Sequence, residues 1–242
     1  MKLLVVENVT KKFGGLVALN GVSFEVDRGE FVAIVGPNGS GKTTLLNVIN
    51  GVYKPDGGRV LFEGRDITNL PAYARAKLGM SRAFQVPRPF PELTVLENVI
   101  VGAVFNGGYD LHKAREVARE VVDYVGLGRR ANELASKLTF NELRLLELAR
   151  ALAGRPKLLM LDEVMAGLNP GEIDNMTKLI RKIVEEKGIS ALSLVEHRMK
   201  AVVQLAHRVV VMHQGRVIAE GPPNIALNNP VVVEIYLGKP WR

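Results

Sequence analysis

Gly36-Pro37-Asn38-Gly39-Ser40-Gly41-Lys42-Thr43-Thr44 constrains this chain more than any other segment. It fits the pattern G-x-x-x-x-G-K-[ST]. An apolar, β-branched run, Phe31–Val35, precedes it, and residues 42–50 read as a helix. Strand, glycine-rich turn and helix in that order build an anion cradle. Glycine lets backbone N–H groups converge on phosphate oxygens with no Cβ in the way. The helix that follows points its positive end at the same anion. Lys42 supplies a point charge for the β and γ phosphates of a nucleotide, and the Thr43 hydroxyl can sit on Mg²⁺. The candidate binding set is Gly36, Asn38, Gly39, Ser40, Gly41, Lys42, Thr43 and Thr44.

A second signal lies roughly 120 residues on, in Leu158-Leu159-Met160-Leu161-Asp162-Glu163. An apolar strand delivers two carboxylates at its C-terminal end, where ligands sit on parallel α/β sheets. Asp162 suits Mg²⁺, through water, and Glu163 suits polarisation of an attacking water.

The remaining chain alternates in character. Residues 2–9, 22–27, 31–35 and 58–63 read as strands, with turns at Asp27-Arg28-Gly29-Glu30 and Asp56-Gly57-Gly58. Residues 70–80, 111–125 and 141–153 carry helical spacing or helix-forming composition, and Asn106-Gly107-Gly108 reads as a loop. The last third returns to alternation: strands at 158–161, 190–195, 208–213 and 216–220, helices at 172–187 and 199–206, a turn at Gln214-Gly215. The expectation is one α/β nucleotide-binding core interrupted by a helical insertion.

Composition narrows the function. The 242 residues contain no cysteine, which excludes disulfides, thiolate metal sites and cysteine nucleophiles. The net charge of +7 is spread in ones and twos, as in Lys11-Lys12 and Arg129-Arg130, so nucleic-acid binding is not expected. Apolar runs are all too short to span a bilayer. The start, Met1–Glu7, reads as a first strand, not as a signal peptide. His112, His207 and His213 lack metal-ligand spacing and read as surface or packing residues.

These motifs, in this order, resemble the ATP-binding subunits of ABC transporters over nearly the whole length. The resemblance implies a P-loop NTPase fold of the ABC type, with an N-terminal antiparallel β-subdomain and a helical subdomain inserted in an α/β core. Residues 1–86 and 156–242 would form the core and 87–155 the helical subdomain. It implies ATP and Mg²⁺ as cofactors. It places Gln85, in Ser81-Arg82-Ala83-Phe84-Gln85, in the Q-loop, with its amide reaching Mg²⁺ or the attacking water. It makes His197 the switch histidine that contacts the γ-phosphate, Phe13 the aromatic stacked on adenine, and Ala166-Gly167-Leu168-Asn169-Pro170 the D-loop. Asp162 and Thr43 become the metal-side residues and Glu163 the catalytic carboxylate.

The signature segment departs from the family. Where L-S-G-G-Q is usual, this chain has Leu138-Thr139-Phe140-Asn141-Glu142, without glycine. Its task would be to close over ATP held by the opposite subunit. Thr139 keeps a hydroxyl, and Asn141 is among the few non-glycine residues that tolerate a positive φ. Either the segment works as a variant or it makes a weaker composite site with a partner. Val164, Asn169 and Arg198 are milder departures.

Phe13–Leu19, Ser81–Gln85, Leu93–Val99, Ala166–Pro170 and Val233–Gly238 are similar to branched-chain amino-acid importers. The resemblance implies a second ATP-binding subunit, in a heterodimer or a homodimer, beneath membrane-spanning permease subunits at the cytoplasmic face of the membrane. The permease groove is expected near residues 82–100, floored by Val86-Pro87-Arg88-Pro89-Phe90-Pro91. Rival readings are another ABC transport system, such as lipid or polysaccharide export, a soluble mechanical ABC ATPase, or an ATP-binding module of low turnover.

Overall fold

The computed structural model describes residues 1–195 and 203–237. The chain forms two compact units, one of Met1–Ala72 with the described part of Ile180–Arg242, the other of Tyr73–Leu179.

The first unit holds two sheets. β1 (Lys2–Phe13) and β2 (Leu16–Asp27) form a long hairpin, and β1 also pairs antiparallel with β4 (Gly57–Phe62), which carries the short β5 (Arg65–Asp66). Both hairpin strands run further than their apolar alternation does, through Lys11 and Lys12, because backbone pairing continues past irregular register to Phe13 opposite Leu16. Gly58 has a left-handed φ of 79°, and a Cβ there would meet the Glu7 carbonyl at 2.3 Å, so the β1–β4 crossing admits only glycine.

β3 (Phe31–Val35) is wholly buried and lies between two parallel neighbours, β8 (Ser190–Val195) and β9 (Arg208–His213). An all-apolar strand is what a sheet covered on both faces requires. β9 turns back into β10 (Arg216–Gly221) through Gln214 and Gly215, both at positive φ (45° and 73°), as a tight two-residue hairpin demands. After β3 comes the glycine-rich loop and α1 (Lys42–Asn50).

The second unit contains α2 (Ala72–Lys77, at its edge), β6 (Met80–Ala83), α3 (Val95–Gly107), α4 (Leu111–Tyr124), α5 (Phe140–Leu152) and β7 (Leu158–Asp162). β6 and β7 pair in parallel, Met80 opposite Leu158. The expected helix over 70–80 is therefore shorter. It ends at Lys77 because Gly79 adopts φ 100°, and the Gly79 carbonyl is taken by the N–H groups of Lys157 and Leu158. Met80 starts a strand.

α3 is an element that periodicity alone does not give, because Val95–Val104 is apolar on almost every side. A local signal exists: Thr94 and Glu97 form a capping box. Asn106 and Gly107, expected in a loop, finish α3, and Gly108 closes it in the left-handed conformation (φ 68°). α6 (Pro170–Lys187) runs on from the second unit. The expected helix at 199–206 falls largely outside the described residues, of which 203–205 are helical. Among the described residues no helix is long and apolar enough to cross a membrane.

Candidate functional site

The glycine-rich loop lies between β3 and α1, in the first unit. Gly36 is pressed against the Met212 carbonyl of β9: a Cβ would sit 2.3 Å from that oxygen and 2.6 Å from Ser40 Oγ. Gly41 has φ 101°, and a Cβ there would sit 2.6 Å from the Ala18 carbonyl oxygen. Gly39 is also left-handed, at 77°. The loop is pinned from outside by the β9–β10 turn, since the Gly215 N–H donates to the Ser40 carbonyl at 3.0 Å. Gly41 is the N-cap of α1 and no side chain caps it, so the helix start faces the loop undisguised.

Two observations fit this loop to a phosphate. The Lys42 side chain is buried, 3% exposed, and its Nζ donates to the carbonyls of Gly36 and Pro37 at 2.8 and 3.0 Å. Ser40 Oγ is buried with no hydrogen-bond partner among the described residues. A hydroxyl so placed is costly unless a ligand satisfies it. Asn38 and Thr43 are exposed and Thr44 half-buried.

Beside the loop lies a cavity of about 400 Å³ lined by Phe13, Val17, Ala18, Lys42, Thr43 and Gln214, among others. Phe13 is 43% exposed and meets Tyr53 edge-on, ring centroids 5.3 Å apart, with Lys11 Nζ 5.4 Å from the ring centre. Sequence reasoning found Phe13 but not the walls at Val17, Ala18 and Gln214. These come from β2 and the β9–β10 turn, remote in sequence from the loop.

The acidic pair stands in the second unit, at the end of β7. Asp162 is buried and forms an ion pair with Arg82 on β6, whose guanidinium also lies 4.7 Å from the Phe84 ring centre. Glu163 leaves the strand with φ 46°, a left-handed conformation uncommon outside glycine. Its Oε2 accepts from Gln85 Nε2 at 2.7 Å. The structure thus brings Gln85 and Glu163 together. His197 lies outside the described residues.

At the signature segment α5 begins at Phe140, one residue before the expected start at 141. Thr139 is the N-cap of α5, and Asn141 sits inside the helix, so its tolerance of positive φ is not used. The reason is a reciprocal cap. Glu142 N–H donates to Thr139 Oγ1, and Glu142 Oε2 accepts from the Thr139 N–H at 2.8 Å and its hydroxyl at 2.9 Å. The Thr139 N–H is the first cause that holds the Glu142 carboxyl below its ordinary range, with Arg130 adding to it. With the helix starting at Phe140, no left-handed residue is needed there. Phe140 is exposed, its ring lying over Gly167 in the segment after Glu163. Asn169 in turn caps α6, exchanging hydrogen bonds with Glu172.

The proline-rich segment is held by Asn98 of α3, which is fully buried. Its side chain accepts from the Phe90 N–H at 2.8 Å and donates to the carbonyls of Phe90, Leu93 and Thr94. Phe90 itself is exposed, with the Arg150 guanidinium 5.2 Å from its ring centre. Of the other histidines, His207 Nδ1 accepts from the Phe31 N–H, a packing role, and His112 is exposed beside Glu116. His213 is half-buried, with Nδ1 unpartnered among the described residues.

The ABC transporter model matches residues 19–166. The chain belongs to the ABC transporter family. Curated relatives cover the cassette almost end to end. A probable branched-chain amino acid transport ATP-binding protein, LivG, of Archaeoglobus fulgidus is 41% identical, over 98% of this chain and 96% of that protein. The high-affinity branched-chain amino acid transport ATP-binding protein BraF of Pseudomonas aeruginosa is 39% identical, over 98% of both. Among solved structures, a nucleotide-free ATP-binding cassette from an ABC transporter superposes with a TM-score of 0.88 at 36% identity, covering 99% of this chain and 100% of that one. A dimeric cassette in a post-hydrolysis state, bound to ADP and Pi, gives 0.81 at 29% identity, over 91% of this chain and 99% of that one. The cassette is an α/β ABC ATPase with an N-terminal antiparallel sheet, and the expectations of fold, family and ATPase activity hold.

Proposed function

We propose that this cassette hydrolyses ATP to drive the import of branched-chain amino acids through separate membrane-spanning permease subunits. The observation that carries this is its similarity, at 37–41% identity over nearly the whole chain, to proteins named for branched-chain amino acid transport. It would work at the cytoplasmic face of the membrane, paired with a second ATP-binding subunit, in a heterodimer. A dimeric similar cassette supports the pairing.

In this reading the loop Gly36–Thr44 holds the phosphates, with Lys42 and Ser40 as its side-chain donors, and Phe13 stacks on adenine. Thr43, Asp162 and Gln85 offer a hydroxyl, a carboxylate and an amide oxygen, a donor set that suits Mg²⁺. When bound, Mg²⁺ neutralises phosphate charge and polarises the transferred group. Glu163 takes the proton of the attacking water. Gln85 orients that carboxylate, and His197 contacts the γ-phosphate. Thr139, Phe140, Asn141 and Glu142 meet the ATP of the partner subunit. The core comprises residues 1–86 and 156–242, and the helical subdomain residues 87–155. The segment Val86–Pro91 receives the permease.

The test is uptake of radiolabelled leucine by vesicles holding the full chain, its companion ATP-binding subunit, permeases and a solute-binding protein. ATP-dependent uptake is expected, and Phe90→Ala should lower it while ATP binding stays unchanged. Uptake that ignores ATP, or that accepts no branched-chain amino acid, would sink the reading.

A further inference from the structure

Arg144 is the fifth residue of α5, and its side chain is almost wholly enclosed, 5% exposed. Its guanidinium forks. Nη1 donates to the carbonyls of Phe84, at 3.3 Å, and Gln85. Nη2 donates to the carbonyl of Ala166 at 3.1 Å. The Phe140 ring lies against it, 4.8 Å from ring centre to guanidinium carbon.

A side chain chosen for stability would not look like this. Among the described residues no carboxylate pairs directly with Arg144, and its buried Nε has no partner. Burial lowers the guanidinium pKa, and the carboxylates of Glu147, Glu163 and Asp162 offset this only through space. A buried cation held by carbonyls alone recovers little of its desolvation cost. What the fork does achieve is geometric, since a planar guanidinium fixes two acceptors at a set spacing.

Those acceptors flank the reacting pair. One prong holds the backbone of Gln85, whose amide lies on Glu163. The other holds Ala166, three residues beyond Glu163, whose own N–H donates to the Glu163 carbonyl at 2.9 Å. The same helix grips the adjoining segment twice more at helical spacing. Glu147 Oε1 accepts from the Phe84 N–H at 3.4 Å, and Arg150 Nη1 donates to the Arg88 carbonyl at 2.7 Å.

We propose that Arg144 is a positioning residue for ATP hydrolysis: it locks the Gln85 backbone and the turn after Glu163 into one frame, so that the Gln85 amide keeps the Glu163 carboxylate aimed. Phe140 roofs the fork and keeps water from its carbonyls. An aromatic residue in the glycine-free segment thereby has a task within its own subunit. The proposal rests on the roles given above to Glu163 and Gln85.

The experiment is a double-mutant cycle in the full chain, with Arg144→Met, Gln85→Ala and the pair, and with Arg144→Lys as a second probe. ATP turnover, equilibrium binding of a fluorescent ATP analogue and thermal melting are measured for each. Arg144→Met should lower kcat by about tenfold or more while the nucleotide Kd stays within about twofold. Arg144→Lys keeps the charge but cannot fork to both carbonyls, and should lose turnover too. Once Gln85 is alanine, removing Arg144 should cost no more than about twofold further. Independent, multiplying losses, or full turnover in both Arg144 variants, overturn the proposal. If Gln85→Ala itself turns over normally, the underlying role of Gln85 has failed instead. Should Arg144→Met melt before assay, Arg144→Lys carries the cycle.

Discussion

Gln85 Nε2 donates to Glu163 Oε2 at 2.7 Å. The two residues are 78 positions apart in the chain and stand after neighbouring parallel strands, β6 and β7. The contact fixes one oxygen of the carboxylate. Glu163 holds its place with a left-handed backbone, a conformation that costs roughly 1–3 kcal/mol in a non-glycine residue and concentrates at functional sites.

Glu163→Gln should abolish most hydrolysis while sparing binding. The amide has the size of the carboxylate and can still accept from Gln85, but it cannot take a proton. Phosphate release should fall on the order of 10²–10⁴-fold. Equilibrium binding of ATP should change little. Turnover close to that of the unmodified chain would remove Glu163 from the chemistry.

Thr139 has two roles that substitution can separate. Thr139→Ala removes the α5 cap and should cost about 1 kcal/mol in urea denaturation. Thr139→Asp restores the acceptor for the Glu142 N–H but sets its charge against the Glu142 carboxylate, so it should recover only part of that stability. It also places a negative charge where the phosphate of a partner's ATP is proposed to bind, so hydrolysis should stay low. Recovery of hydrolysis together with that part of the stability in the Asp variant would make Thr139 a cap and nothing more.

Acid stability should report on Glu30. Arg208 grips its carboxylate at both oxygens, Nε to Oε1 at 2.8 Å and Nη2 to Oε2 at 2.9 Å. Burial pushes the Glu30 carboxyl up, but the bonds from Arg208 and the Asp27 N–H outweigh it, and the net shift is below the ordinary 4.5. A depressed folded pKa gives stability that is present above 4.5 and lost as pH falls through the lower folded value. Glu30→Gln should therefore cost roughly 1.5–3 kcal/mol at neutral pH, the worth of charge-assisted bonds. The gap between the two chains should close in urea titrations taken below that window. A gap that is constant with pH would show that the ion pair contributes nothing.

Legibility followed the range of each interaction. The strands around the phosphate loop and the helix after it were readable because pattern and structure coincide over a few residues. α3 was not, since an apolar surface on nearly every side leaves no helical period to detect, although Thr94 and Glu97 mark its start. The helix over 70–80 was overextended because Gly79 takes a left-handed turn whose need is set by Lys157 and Leu158, far along the chain. At the signature, residue type marks Asn141 only as tolerant of a left-handed backbone, and helix-forming composition begins at 141. The Thr139–Glu142 cap starts α5 one residue earlier, so that tolerance goes unused.

The sequence by itself determined the anion cradle and the acidic strand end, because a strand, a turn and a helix contiguous in the chain carry their geometry with them. Only the tertiary structure decided which groups meet there. It set Ala18 and Met212 against the loop glycines, Arg82 on Asp162, Gln85 on Glu163, and Arg144 across Gln85 and Ala166. Each of these is a hydrogen bond, ion pair or close approach between residues roughly 20 to 180 positions apart in the sequence. Such contacts depend on how strands pair and helices pack, and no local pattern of residues encodes that.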